Sequence, residues 1–447
     1  MRNRRQFLRG ALTGAGGALV SGGMAATVQA VELAEEQRYG QPVDVLICGG
    51  GPAGMAAGVM AARQGAKVLL VERYGRLGGM AVQALVGPLM GGADCPFVDE
   101  VLNRIGGRHP DPNRMDLEYA AMLEEAGASI MLHAWAMGAV VEDGCVKGIR
   151  LLTKQGALRI SAKVTIDATG DGDVACLAGA EFEKGRPADK LMQPASIMYL
   201  VGGVDSDEAI LCGSEEEAHQ VRTPAGSWHE VVAKAQSTGE LPPEIGVVRL
   251  YRGHRSTERI VNATQINRVD GTQVADLTRG EIEARRQAYG VLDFLRKHGP
   301  GYENAHIAMM PAILGIRETR RIRGVDYLTR EDVITGRKRP DVVVRSASFV
   351  IDIHNPTGPG QAENFATRTQ PYDIPYGCLV PRSLDGLLTA GRCISGSHDA
   401  HASYRVQCIA LAIGAAAGTA AALAAERGQQ PRQLDVSHIQ NALGFNS

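Results

Sequence analysis

The chain has 447 residues, of which 45% are apolar and 21% are charged, a balance typical of globular proteins and not of disordered chains. The 47 basic and 49 acidic residues give a formal net charge of −2, and 4% are aromatic, which argues against a surface that binds nucleic acid by charge or base stacking. None of the eight cysteines stands in a CxxC pair, so we expect no iron–sulfur cluster, zinc or other metal site.

The N-terminus carries a predicted export signal. Residues 3–9, with the paired Arg4 and Arg5, resemble a twin-arginine signal, and residues 10–26 form a mildly apolar stretch rich in Gly and Ala. Small residues then occupy the −3 and −1 positions of a cleavage site. We therefore predict that residues 1–30 are a signal peptide read by the twin-arginine translocase, and that the mature protein is periplasmic or otherwise exported. The other interpretation is a basic, frayed N-terminal helix.

The first predicted fold element is a βαβ unit with a glycine-rich turn. Residues 43–48 form an apolar run typical of a buried parallel strand, and Gly49-x-Gly51-x-x-Gly54 separates it from a helical stretch. In such a turn the three glycines permit a tight bend, the approach of a pyrophosphate to the backbone, and close helix–strand packing. The next strand ends in Glu72, which is placed to accept hydrogen bonds from a ribose. The unit therefore predicts a dinucleotide site at the helix N-terminus.

The remaining pattern predicts an α/β fold: a Rossmann-like domain with a central parallel sheet, plus an inserted α+β substrate or cap domain. Residues 96–127 are predicted to be helical, and residues 129–152 and 163–168 to form strands. The sequence becomes more polar from about residue 196, with further helices predicted around residues 214–237 and 276–298. The predicted boundaries are 43–195 and 372–427 for the nucleotide-binding domain, 196–371 for the inserted domain, and 428–447 for a peripheral, polar tail.

A second apolar run, residues 408–425, is nearly long enough to cross a membrane. Ala and Gly dominate it, which favours a buried helix over residues 403–427 that ends at Gly428. We therefore expect no stable membrane span after signal cleavage.

Four motifs together resemble one flavoprotein superfamily. They are the glycine turn with Glu72, the loop 75–80, the segment 167–173, and residues 387–395 before the Ala/Gly helix. This set resembles the two-dinucleotide-fold flavoproteins related to glutathione reductase, and within them an FAD-dependent oxidoreductase family similar to fumarate reductase flavoproteins and heterodisulfide reductase A-like proteins. The resemblance implies FAD. The cofactor-binding residues that it implies are Gly49, Gly51, Pro52, Ala53, Gly54, Glu72, Arg73, Gly78, Gly79, Met80, Ala168, Thr169, Gly170, Asp171, Gly391 and Arg392.

Two departures from the superfamily pattern bear on the cofactor. Many members have an acidic residue, which binds the ribityl chain, where this chain has Arg392. The loop 75–83 contains no His, the residue through which some relatives attach FAD, so we expect non-covalent FAD.

A second GxGxxG is also absent, which argues against a built-in NAD(P)H domain. The predicted electron acceptor is then an acceptor protein such as a cytochrome, a quinone, oxygen, or the substrate pair itself.

The segment 397–405 is the first candidate for the chemistry. A helix starting there would direct its positive end toward the flavin, and His398, His401 and Arg405 would orient a substrate or move a proton. The other interpretation is a network that caps the helix and fixes the loop.

Two further polar clusters are candidates. At helical spacing Arg317 and Arg320 share one face, suited to a carboxylate clamp, and Glu318 and Arg321 share another. The alternative is a solvated charged strand or helix with ion pairs. His354 follows Asp352 at strand spacing, so the two would form an acid/base pair, or His354 is structural.

These patterns predict an exported enzyme that transfers a hydride between a small organic substrate and FAD, in a direction that stays open. One alternative is a flavoprotein subunit that passes electrons to a partner protein. Another is a structural or binding protein stabilised by flavin.

Overall fold

The computed structural model describes residues 37–360 and 366–445. The predicted signal peptide and its cleavage site lie outside the described residues.

The described residues form 19 strands and 12 α-helices. The strands are β1 (Gln37–Arg38), β2 (Val43–Cys48), β3 (Val68–Val71), β4 (Gly92–Asp94), β5 (Ser129–Met131), β6 (Trp135–Glu142), β7 (Cys145–Thr153), β8 (Gly156–Asp167), β9 (Phe182–Lys184), β10 (Met198–Gly202), β11 (Arg222–Thr223), β12 (Gly226–Ser227), β13 (Arg249–Arg252), β14 (Glu258–Asn262), β15 (His306–Met309), β16 (Arg320–Ile322), β17 (Val342–Ser348), β18 (Tyr372–Pro375) and β19 (Leu387–Thr389). The helices are α1 (Pro52–Arg63), α2 (Gly79–Gln83), α3 (Pro96–Ile105), α4 (Pro112–Glu125), α5 (Asp173–Leu177), α6 (Glu215–Gln220), α7 (Trp228–Ser237), α8 (Val274–His298), α9 (Arg330–Thr335), α10 (His398–Tyr404), α11 (Gln407–Arg427) and α12 (Val436–Ala442).

The central sheet has the order β5-β3-β2-β8-β7-β6, with β19 and β1 also paired to β8. Strands β5, β3, β2, β8 and β19 are parallel, and their buried runs of Val, Ile and Leu suit a sheet covered on both faces. The long β8 continues beyond this region and pairs its first half with β7 in antiparallel register. The predicted Rossmann-like α/β class is confirmed, and the sheet is mixed because β6 and β7 extend it.

Helices α1 and α11 cross in close backbone contact beside the central sheet. A Cβ at Gly414 would lie 2.0 Å from the carbonyl oxygen of Ala53, and one at Gly418 would lie 2.1 Å from that of Ala57. Every residue of α11 from 408 to 425 is buried, as predicted for this Ala/Gly-rich run. Among the described residues α11 alone is long and apolar enough to cross a membrane, and its apolar window is wholly buried.

Three predicted helical stretches have different bounds in the structure. The stretch 96–127 is two helices, because Gly106 adopts φ +88° and closes α3 before α4 begins. The stretch 214–237 is divided by the short β11–β12 hairpin. The predicted 403–427 helix starts at Gln407, since Val406 is extended and separates α10 from α11, and Gly428 ends it as predicted.

A second core lies over a four-stranded sheet of order β13-β14-β10-β15. Residues between 195 and 316 form it, with Trp228 packed on Phe294 from α8. The described chain nevertheless forms one compact unit, so the predicted domain boundaries stay predictions. The tail is less peripheral than predicted, because Leu434 and Ile439 are buried against the main core.

Candidate active site

A large cavity opens where the parallel strands end. Its lining includes the residues at or just after the carboxyl ends of β2, β3, β8 and β19, namely Gly49, Glu72, Ala168 and Gly391. Loops at this edge are the usual ligand-binding position of open parallel sheets. The cavity then extends past Met198 of β10 to Ile316, which belongs to the second core, so both cores contribute to its walls.

The three motif glycines have different roles in the turn between β2 and α1. Gly49 adopts φ +110°, and a Cβ there would lie 2.3 Å from the carbonyl oxygen of Ala168. A Cβ at Gly54 would lie 1.8 Å from the carbonyl oxygen of Gly49. Gly51 lines the cavity, and a Cβ at this position would lie no closer than 3.7 Å to another atom, the Cα of Gly79. Gly49 and Gly54 therefore close the turn, and Gly51 leaves space for a ligand.

Glu72 fixes this turn from the end of β3. Its buried carboxylate accepts hydrogen bonds from the Gly50 amide at 2.6 Å and the Tyr74 amide at 2.9 Å. The residue also lines the cavity, and each oxygen retains a lone pair for a ligand hydroxyl.

Most of the predicted cofactor-binding residues line one continuous surface. Those in the lining are Gly49, Gly51, Pro52, Ala53, Glu72, Arg73, Gly79, Met80, Ala168, Thr169, Gly170, Gly391 and Arg392. The other three, Gly54, Gly78 and Asp171, do not line the cavity. Gly78 donates its amide to Gly50 at 2.8 Å, which joins the loop 75–80 to the glycine turn.

Arg392, the departure from the superfamily pattern, is held by an acid from another motif. Its guanidinium lies 2.7 Å from Asp171 and also donates to the carbonyl of Ile316. Thr319 donates to the same Asp171 oxygen at 2.9 Å. Arg392 therefore ties the last motif to the segment 167–173, and Asp171 neutralises its charge.

The charged run at 317–321 could have been a helix or a strand from its sequence, and its second half is a strand in the structure. Residues 320–322 form β16, which pairs with β9, so Arg317 and Arg320 diverge. Arg317 lines the cavity, whereas Arg320 is not in the lining and donates to Asp173 at 2.8 Å. The predicted clamp of Arg317 with Arg320 is therefore not formed, because Arg317 precedes the strand and lines the cavity, whereas Arg320 lies in the strand and is held by Asp173.

The end of the cavity away from the glycine turn is polar. Arg405 lies 2.8 Å from a carboxylate oxygen of Asp352, and His354 Nε2 lies 3.4 Å from the same oxygen. Arg317 donates to the carbonyl of Pro194 at 2.8 Å. All four side chains belong to residues in the cavity lining. The structure thus brings the candidates Arg317, His354 and Arg405 together.

The candidates His398 and His401 are buried and are not among the residues that line the cavity. His398 Nδ1 lies 2.9 Å from Glu318, which also forms a buried ion pair with Arg321. Burial, followed by the charge of Arg321, lowers the pKa of His401 well below its ordinary value. The contact of His398 with Glu318 is structural, and the catalytic role of both histidines stays a prediction.

Several lining residues carry no sequence motif. They are Tyr74, Val86, Pro88, Met90, Trp135, Ser196, Met198, Asn262, Phe349, Val406 and Gln407. Their segments reach the cavity only through tertiary packing, so local patterns give no signal for them. Gln407 is the first residue of α11, so the start of that helix borders the cavity, and the backbone amide of Cys408 there donates to the carbonyl of Met90 at 3.2 Å.

His354 is neutral at neutral pH. Burial, followed by the charge of Arg317, lowers its pKa to about 4, and Asp352 acts in the opposite direction. A neutral imidazole beside a carboxylate can accept a proton, and Asp352 orients the ring for it.

The depressed pKa of His354 predicts acid sensitivity. An unfolded histidine titrates near 6.5, so between about pH 6.5 and pH 4 the unfolded chain binds a proton that the folded chain does not. Stability therefore falls as the pH drops through this window, by about 3 kcal/mol for this group. We expect His354→Gln to lose correspondingly less stability over the same window. Urea unfolding at both pH values checks this, and equal losses in the two proteins would contradict it.

Comparison with known proteins adds a family match. The sequence profile of a family described as FAD dependent oxidoreductase matches residues 44–443. Thiamine thiazole synthase of Methanococcus aeolicus is 34% identical over 165 residues, which cover 32% of this chain and 60% of that protein. Digeranylgeranylglycerophospholipid reductase of Methanosarcina acetivorans is 28% identical over 195 residues, covering 37% of this chain and 46% of that protein. The chain thus spans less than two thirds of either relative.

Among solved structures, a geranylgeranyl bacteriochlorophyll reductase-like protein of Thermoplasma acidophilum aligns over 91% of this chain and 83% of its own. The TM-score is 0.44 and the sequence identity is 15%.

Proposed function

The chain belongs to the FAD dependent oxidoreductase family, and from this premise we propose that it is an exported dehydrogenase or reductase that transfers a hydride between a small organic substrate and FAD. The observation that carries the proposal is the set of residues that line the cavity. It includes the glycine turn and also the polar residues Arg317, His354 and Arg405. A protein that only relayed electrons would have no need for these polar residues.

The residues of the first half of the cavity fit FAD. The open space at Gly51 and the amides at the start of α1 would hold the diphosphate, and Glu72 would bind the ribose. FAD supplies the hydride acceptor or donor when bound. Non-covalent attachment is part of the proposal, supported by the absence of His from the loop 75–83.

The residues of the polar end would act on the substrate. His354 is neutral and would exchange a proton with the substrate, while Asp352 orients it. Arg405 holds Asp352 in place. In this proposal Asp352 and Arg405 position the imidazole, and His354 transfers the proton.

The electron acceptor is proposed to be a quinone or an acceptor protein and not NAD(P). The support is the sequence, which contains one GxGxxG turn.

Flavin reduction by substrates tests the proposed function. Purified protein should show flavin absorbance, and anaerobic mixing with a panel of alcohols, amines and organic acids should bleach it with at least one member. If the panel leaves the oxidised spectrum unchanged, the dithionite-reduced protein should be reoxidised by an activated alkene. Bleaching by NADH or NADPH at rates matching the best substrate would overturn the proposed acceptor class, and inertness in both directions would overturn the proposed reaction.

Export through the twin-arginine pathway is supported by the paired Arg4 and Arg5 and by the need to acquire FAD before translocation. We expect the double change Arg4→Lys and Arg5→Lys to retain the full-length precursor in the cytoplasm. Cell fractionation with immunoblotting measures this, and Arg9→Lys, outside the pair, is the matched control. Equal periplasmic amounts of the double variant and the control would contradict the prediction.

A further inference from the structure

Three guanidinium groups and two carboxylates lie at or next to the polar end of the cavity: Arg317, Arg405 and Asp352 line the cavity, Arg249 lines an adjoining recess, and Glu215 is the ion-pair partner of Arg249. Arg249 forms an ion pair with Glu215, and Arg405 forms one with Asp352. Arg317 has no carboxylate partner among residues 37–360 and 366–445, and its guanidinium donates to the backbone carbonyl of Pro194. With His354 neutral, these groups sum to one net positive charge.

This charge is partly buried, and its burial is costly. Burial, followed by the charge of Arg405, lowers the pKa of Arg317 to about 9, which leaves it protonated at neutral pH. A cation without a counter-ion in such a place is unfavourable unless an anion joins it. Because the excess is a single charge, a monoanion matches it better than a phosphate dianion does.

The surroundings of Arg317 restrict the shape of the anion. Arg317, His354 and Asn262 border both the main cavity and a narrow polar recess that continues from it toward Thr264 and Gln265. The planar guanidinium matches a planar carboxylate with two parallel hydrogen bonds.

We propose that the substrate is a small organic monocarboxylate and that Arg317 binds its carboxylate, with the Asn262 amide beside it. The assignment rests on the proposed function and names the substrate class for the same site. It also gives Arg317 a role in binding and leaves the proton transfer to His354.

Binding to the oxidised flavoprotein tests the substrate class without turnover. The probes are unbranched and 2-hydroxy monocarboxylates of two to six carbons, each paired with its primary amide, and the readout is the shift of the flavin absorbance spectrum during titration. We expect at least one acid to bind wild-type protein with a dissociation constant about 10- to 100-fold lower than that of its amide, as the loss of a charge-assisted hydrogen-bonded pair implies. Amides that bind as tightly as the acids would overturn the proposal.

Substitutions of Arg317 test whether this residue binds the carboxylate. Arg317→Gln should weaken the binding of the acid by about 10- to 100-fold and change the binding of the amide by no more than a few-fold. Arg317→Lys keeps the charge, so its affinity for the acid should lie between those of the wild type and the glutamine variant. Arg286→Gln, a change of an exposed arginine on α8, is the matched control and should bind the acid as the wild type does. Equal acid affinity in the glutamine variant and the wild type would overturn the assignment.

The outcomes separate this inference from the proposed function. A protein that is bleached by an uncharged substrate but shows no preference for acids retains the proposed reaction and loses the carboxylate subsite. A protein that binds acids through Arg317 but is inert in both redox directions retains the subsite and loses the proposed reaction.

Discussion

Gly54→Ala is expected to yield protein with less than about a tenth of the wild-type flavin content, because steric overlap that costs more than roughly 1.4 kcal/mol shifts an equilibrium tenfold. The added Cβ would lie 1.8 Å from the carbonyl oxygen of Gly49. That oxygen belongs to the turn itself and cannot rotate away as a flexible side chain can. Helix α1 must therefore move from β2, and the amides that would hold the diphosphate move with it.

Gly290→Ala is the matched control for this change. Gly290 lies inside helix α8, and a Cβ there would have no atom within 4 Å. The control should keep its flavin and gain up to about 1 kcal/mol of stability from the better helix propensity of Ala. The flavin-to-protein ratio after release by denaturation measures both variants, with circular dichroism to verify folding. Full flavin content in the Gly54→Ala protein would refute the assigned role of this glycine.

The glycine turn could be predicted from sequence because its geometry is local. A strand, three spaced glycines and a helix lie within one short segment, and each glycine is required by an atom close by in the fold. Glu72 was also found from its offset, although its two hydrogen bonds to Gly50 and Tyr74 show that it supports the loop as well as facing the cavity. Local constraints of this kind leave a readable spacing.

The polar end could be predicted only in part because it is assembled from distant segments. Arg317, His354 and Arg405 were each candidates, and strand spacing paired Asp352 with His354, but nothing in the sequence indicated that Asp352 would also join Arg405. His398 looked equivalent to these residues, yet it pairs with Glu318 in the protein interior. Polar residue type reveals a candidate, and tertiary packing decides whether it faces the cavity or a buried partner.

The charged run at 317–321 shows the same limit for secondary structure. Helical spacing paired Glu318 with Arg321, and these two residues do contact each other. The segment is nevertheless extended at 320–322, because β9, more than 130 residues earlier, supplies its hydrogen-bonding partner. Glu318 and Arg321 have the spacing of an ion pair on an exposed helix, but in the structure they neutralise each other beside a buried strand.

Glu318→Gln is expected to lower the free energy of unfolding by about 3–5 kcal/mol, the usual cost of breaking a buried ion pair by removing one partner. The side chains of Glu318 and Arg321 are 0% and 3% exposed. The same carboxylate accepts hydrogen bonds from His398 at 2.9 Å and from the backbone amide of Gln193 at 3.1 Å. A glutamine amide would present N–H donors to these donors and leave the Arg321 charge without its counter-ion.

Glu100→Gln provides the matched control, because Glu100 also pairs with an arginine. The side chains of Arg63 and Glu100 are 43% and 41% exposed, so water replaces the lost interaction and the expected loss is below about 1 kcal/mol. Urea unfolding of both variants at neutral pH measures the difference. Similar losses of unfolding free energy in the two variants would mean that the buried ion pair of Glu318 stabilises the fold no more than the exposed pair of Glu100 does. A large loss in Glu318→Gln alone would identify the carboxylate as the link that joins the segment after Gly315 to helix α10, and so fixes the position of Arg317 beside the cavity.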